Sequence, residues 1–246
     1  MTEETDLKSQ PFMEHLIEFR DRVLRSVVAV LIIFAGLFSF SNELYIYISE
    51  PIREYLPESS TMIATEVASP FLTPFKLTLV FSLFAAMPYI LYQAWAFLAP
   101  GLYQREKKIV IPLFISSVAL FYAGMAFAYY IVFPLVFLFF TSIAPEGISV
   151  MPDIRSYLDF VLKLFFAFGL SFEIPIAVVI LSWMGAVNPN NLAKKRPYVF
   201  VMCFVLGMLL TPPDIISQTL LAIPMWLLFE LGILFGRLVS PALQDT

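Results

Sequence analysis

The sequence predicts an all-α integral membrane protein of six transmembrane helices, with both termini cytoplasmic and the last two spans short. Three observations predict it. Of the 246 residues, 60% are hydrophobic and only 14% charged, and mean hydropathy is +0.84, whereas a soluble domain carries about 25% charged residues. Several apolar windows approach the roughly 20 residues needed to cross about 30 Å of hydrocarbon. Basic residues, finally, gather in alternate connections between those windows.

The elements follow in order. Residues Pro11 to Arg25, PFMEHLIEFRDRVLR, place Phe12, Leu16, Phe19 and Val23 at helical spacing, so an amphipathic helix over about 10–23 leads into the first span. Spans are expected at about 24–41, 71–99, 109–138, 160–185, 198–211 and 215–235 within a single polytopic domain, 1–246. The third contains no charge, and the fourth is interrupted by Glu173. The fifth and sixth flank TPPD, Thr211 to Asp214, whose consecutive prolines stop any helix. At about 1.5 Å per residue the fifth reaches only about 20 Å, so a short span in a thinned bilayer or a re-entrant hairpin follows. Prolines 88, 112, 134, 175 and 224 fall inside spans and predict bent helices wherever neighbours satisfy the freed carbonyls.

Orientation comes from the positive charges. A cytoplasmic N-terminus gives that side Lys8, Arg20, Arg22, Arg25, Arg105, Lys107, Lys108, Lys194, Lys195, Arg196 and Arg237, eleven of the fifteen Lys and Arg. The start, MTEETDLKSQ, is polar and mostly acidic, unlike a cleavable secretory signal. The long outer connection, Ser41 to Ser69, carries five glutamates with Pro51 and Pro57 and reads as a lid over the outer face.

Composition excludes several chemistries. The only histidine is His15, ahead of the first span, so neither a paired-histidine metalloprotease nor a Ser-His site at membrane depth can be assembled. There is no glycine-rich phosphate loop, and one cysteine, Cys203, excludes an intrachain disulfide or a multi-cysteine metal site and reads as packing. No enzyme, cofactor or metal is expected.

What remains is a set of carboxylates. Glu18 and Arg22, four apart, read plainly as a surface ion pair contributing about 0.3 to 0.5 kcal/mol, and Glu106 between Arg105 and Lys107 reads as part of a solvated loop. The sharper reading is a cationic ligand whose guanidinium fork is held by carboxylate beside an apolar contact such as Phe97. Glu173, with Pro175 two residues on, is costly at mid-bilayer depth and faces the bundle interior or a wet cavity. Burial raises its tendency to stay protonated. A structural hydrogen bond and a functional polar site both fit it.

Six blocks carry a resemblance: HLIEFRDR at 15–22, TMIATEVASPF at 61–71, ILYQAWAFLAPGLYQREKK at 90–108, FAFGLSFEIP at 166–175, KKRPYV at 194–199 and LLTPPDIISQTLLAIPM at 209–225. Together, in this order, they resemble the TatC family of the twin-arginine protein translocase over nearly the whole chain. The resemblance implies a concave bundle in the bacterial inner (cytoplasmic) membrane that receives signal peptides bearing paired arginines on folded precursors. It implies a multimeric complex with TatA-type and TatB-type single-span subunits, export driven by the proton-motive force, contact with the lipid bilayer and no nucleic acid partner. Carried over by motif, Glu18, Arg20, Phe97 and Glu106 bind the signal peptide. Met208, Thr211 and Gln218 dock a partner helix, Glu173 is the intramembrane polar feature, and Pro51 belongs to the periplasmic cap. The alternative is a proton-coupled small-solute transporter built on Glu173 and the proline-bent spans.

Overall fold

The computed structural model describes residues 3–55, 62–98, 107–142, 151–211 and 214–239, and among them every regular element is helical. In chain order these are α1 (Glu3–Leu37), α2 (Ser41–Tyr55), α3 (Ser69–Ala85), α4 (Met87–Leu98), α5 (Lys107–Phe127) and α6 (Phe133–Ser142). They continue with α7 (Ile154–Ser171), α8 (Ile174–Trp183), α9 (Pro189–Lys194), α10 (Arg196–Leu210) and α11 (Ile215–Val239). Four stretches among the described residues are long and apolar enough to cross a membrane: Met13–Glu50, Ile111–Phe140, Ile154–Trp183 and Ile215–Leu238. A fifth is Ser69–Ala85 with Met87–Phe97, bent by 48° at its break, while α10 is apolar but only 15 residues long.

The chain divides into two compact units, the first comprising Met1–Leu44 and Pro74–Val118. From Met13 to Glu50 the helix meets no proline and only tightens to a 3-10 turn at Phe38–Phe40. α1 lies along α4, and further down its Phe34 meets Phe75 edge-on at 5.2 Å between ring centroids. The bend between α3 and α4 has a local cause. Thr78 and Ser82 donate their hydroxyls back to the carbonyls of Pro74 and Thr78, at 2.8 and 2.6 Å, a back-bonding that bends helices. Pro88 then supplies no N–H for the carbonyl four residues earlier.

The second unit comprises Tyr45–Thr73 and Ala119–Thr246. Its buried axis is α7, where Tyr157, Leu158, Val161, Leu162, Leu164, Phe165, Phe168 and Gly169 are all covered. Phe165 packs on Phe133 and Phe168 on Phe127, each at 5.3 Å. A Cβ on Gly124 would sit 2.5 Å from the Phe168 carbonyl oxygen, so this crossing requires glycine. α8 and α11 close in the same way, Gly232 of α11 facing the Cα of Pro175. Cys203 is packing, buried with Ala222 and Met225.

The prolines divide by what surrounds them. Helix α7 ends at Ser171, and α8 restarts at Ile174 beyond a turn at Phe172 and Glu173, with Pro175 in the first positions of the new helix, where its missing donor costs nothing. Ahead of Pro134 the backbone widens into a π-helical turn, Ala128–Val132, one way of absorbing an interrupted ladder. α5 and α11 run on through Pro112 and Pro224. α2 likewise continues through Pro51 to Tyr55.

Candidate functional site

The site in the first unit is built where α1 meets α4. Phe97, near the end of α4, stacks on His15 with ring centroids 4.2 Å apart and planes 20° apart. The same ring touches Phe19, one turn further along α1, at 5.5 Å. One turn before Phe97 on α4 is Gln93, which is 5% exposed and accepts a hydrogen bond from Arg22 Nη1 at 3.2 Å. Arg22 in turn donates from Nε and Nη2 to Oε1 of Glu18 at 3.0 and 2.6 Å. Thus an aromatic contact and a polar chain fix the same two helices within two turns.

Two openings share Arg22. Glu14, Ile17, Glu18, Asp21, Arg22 and Arg25 line a polar cleft of about 380 Å³. An apolar groove of about 570 Å³ runs beside α1, walled by Phe19, Val23, Val27 and Leu31 on one side and Leu79, Ile90 and Phe97 on the other, with Arg22 and Gln93 on its rim. Three carboxylates against two guanidinium groups leave the cleft acidic. Such a pair of openings suits a ligand with a cationic head and an apolar continuation.

The structure brings Glu18 and Phe97 to this one contact. Arg20 lies about 200° round the helix from Glu18 and forks onto Asp21 Oδ1, through Nε at 2.9 Å and Nη2 at 2.7 Å. Glu106 lies outside the described residues. Gln93 was missed by the sequence reading, although a lone amide between Tyr92 and Ala94 in an apolar segment is a signal of the same kind as Glu173.

In the second unit, α10 and α11 cross at Gly207, whose missing Cβ leaves 3.3 Å to the Gln218 carbonyl oxygen. Met208 next to this crossing is 51% exposed. Thr211 is buried, and its hydroxyl donates to the Gly207 carbonyl at 2.9 Å. Asp214 starts α11, its Oδ1 accepting from the Ser217 N–H at 2.7 Å. At the start of α10, Arg196 forks onto both oxygens of Glu230 of α11 at 2.7 and 2.6 Å. Glu173 sits in the turn between α7 and α8, half-buried, with its Oε1 shielded from solvent. Pro51 lies on the backbone of α2.

A further polar cluster ties residues 63–66 to the start of α7. Asp153 caps α7, accepting from the Ser156 N–H at 3.0 Å, and its other oxygen accepts from the N–H and hydroxyl of Thr65 at 3.1 and 2.9 Å. The Ser156 N–H foremost, with Thr65 adding to it, lowers the Asp153 carboxyl to about 2. Arg155 pairs with Glu66 beside it.

Comparison with known proteins agrees with this architecture. The family model described as Sec-independent protein translocase protein (TatC) matches residues 14–224. A protein of Azotobacter chroococcum named Sec-independent protein translocase protein TatC is 60% identical over 242 residues, covering 97% of this chain and 95% of that protein. The protein of that name in Escherichia coli K12 is 58% identical over 229 residues, covering 93% and 89%. A crystal structure described as twin arginine translocase receptor TatC superposes with a TM-score of 0.83 at 37% identity, covering 92% of this chain and 99% of that one.

Proposed function

The chain belongs to the TatC family of Sec-independent protein translocase proteins, and from that premise we propose that it is the membrane receptor and core scaffold of a twin-arginine translocase. Membership already makes it a membrane-embedded translocase protein rather than an enzyme. In the proposal, signal peptides of folded precursors bind at the cytoplasmic face, their paired arginines meeting Glu18 and Glu106, with Arg20 shaping the site and Phe97 supplying apolar contact. The observation that carries this reading is the junction of α1 and α4. There the Glu18 carboxylate lines an acidic cleft while the Phe97 ring walls the adjoining apolar groove. A signal peptide offers the matching order, guanidinium groups followed by an apolar segment.

The same proposal gives the chain six spans, with α10 as the short fifth, and both termini on the cytoplasmic side of the bacterial inner membrane. Single-span subunits of TatA and TatB type dock around Met208, Thr211 and Gln218. The exposed Met208 and the mostly uncovered outer face of α10, where Tyr198, Val201 and Leu209 are also exposed, support that docking. Glu173 supplies a polar point within the membrane, and Pro51 belongs to the periplasmic cap. Export draws on the proton-motive force.

The test is binding of a fluorescent signal peptide to the full chain in lipid nanodiscs. A hydrogen bond to a charged group contributes about 1.5 to 3 kcal/mol, so Glu18→Ala and Glu106→Ala are each expected to weaken a paired-arginine peptide roughly tenfold or more. Unchanged affinity in both variants, with the protein inserted, refutes the receptor assignment.

A further inference from the structure

Arg22 is given no part in the receptor reading, yet it is the most firmly held charge at the site. Its side chain is 21% exposed, it contacts two helices, and it lines both openings. A guanidinium fork commonly takes both oxygens of a carboxylate, one N–H to each. Here the Nε and Nη2 groups converge on a single oxygen, Oε1 of Glu18, while Nη1 is committed to Gln93. Oε2 of Glu18 receives no hydrogen bond from the described residues, on a side chain that lines the polar cleft.

We propose that Gln93 and Arg22 are positioning residues for arginine recognition: buried Gln93 holds Arg22, Arg22 holds Glu18 by one oxygen, and the other oxygen is kept as the acceptor for an incoming guanidinium. The inference rests on the receptor reading of Glu18. Two physical consequences make the arrangement more than a helix surface pair. Fixing the Glu18 rotamer beforehand removes the ordering cost that a free glutamate incurs on binding. The resident guanidinium also offsets the Glu18 charge, so a compact ammonium gains little from simple attraction, whereas a planar fork gains directed hydrogen bonds to Oε2 and its surroundings. The pair therefore favours arginine over lysine by acting through Glu18.

The experiment is a mutant cycle on the full chain in nanodiscs, read with two synthetic signal peptides, one with paired arginines and one with paired lysines. Gln93→Met keeps the volume and removes the acceptor. It is expected to weaken the arginine peptide about threefold to tenfold, the range for one lost hydrogen bond, and to leave the lysine peptide unchanged, so the preference shrinks. In a Glu18→Gln background, where the oriented carboxylate is already gone, Gln93→Met is expected to have no further effect. Equal weakening of both peptides, or a loss that persists in the Glu18→Gln background, overturns the proposal by making Gln93 a packing residue. Should Gln93→Met fail to accumulate in the membrane, Arg22→Lys carries the same expectations, since an ammonium cannot hold Glu18 and Gln93 in this geometry. If Glu18→Gln alone leaves arginine-peptide binding intact, the receptor reading of Glu18 fails and the positioning role falls with it. A normal loss in Glu18→Gln with no effect of Gln93→Met or Arg22→Lys overturns the positioning role only.

Discussion

At Glu18 the distinction between a surface ion pair and part of a site lies in which oxygens are taken. A glutamate and an arginine four apart on an exposed helix face contribute a few tenths of a kcal/mol and little else, and the spacing alone supports nothing more. Gln93, buried on the neighbouring helix, changes that by anchoring the half-buried guanidinium. Glycines make the same point about context. A Cβ at Gly124 would come within 2.5 Å of a backbone oxygen, while at Gly36 it meets nothing within 4 Å. Gly124→Ala is therefore expected to destabilise the protein by about 1 to 3 kcal/mol, seen as a lower thermal midpoint in detergent. Gly36→Ala should leave that midpoint unchanged or raise it slightly, because alanine is the better helix former. Equal behaviour of the two variants would contradict the close crossing at Phe168.

At the scale of elements, helices were legible because hydropathy and proline placement are local properties, and the fate of each proline was not. Pro88 and Pro175 accompany breaks, Pro134 a π-helical turn, and Pro112 and Pro224 uninterrupted helix. The residue type is the same each time, and the outcome depends on whether neighbouring groups satisfy the freed carbonyl, which no periodicity encodes. Thr78 and Ser82 near the bend are such neighbours. The clasp between Thr65 and Asp153 was invisible for a related reason, since it joins segments 88 residues apart in sequence. Its carboxylate sits below the ordinary 3.8, at about 2, so it stabilises the clasp above pH 3.8 and loses that contribution as pH falls toward 2. Protection of the Thr65 and Ser156 amides, taken as exchange slowed relative to the intrinsic rate at each pH, is expected to be high at pH 5 and to fall over that acid window. In Asp153→Ala that protection should be low at both, and the lost cap should cost about 1 kcal/mol. High protection in the alanine variant would show that the backbone hydrogen bonds of Ile63, its N–H donating to the Pro152 carbonyl and its carbonyl accepting from the Ile154 N–H, hold the segments alone.

For the whole molecule, composition and charge placement carried the membrane assignment, and the six motif blocks carried the family. The contact between α1 and α4 needed coordinates, because nothing in the sequence says which face of one helix meets another. The proposed topology makes a direct demand. In a Cys203→Ala background, single cysteines at Lys8 and Leu243 should react only from the cytoplasmic side and one at Glu58 only from the outside; termini reacting from opposite sides would contradict six spans. The central claim is that the carboxylates at this face read guanidinium groups. It is tested most directly by site-specific photocrosslinking from positions 18 and 106 in native membranes, using one folded precursor with paired arginines or paired lysines in its signal peptide. Crosslinks from both positions that vanish with lysine are the expected result. Equal crosslinking of the two precursors, or none from either position, would mean that these carboxylates only balance local charge.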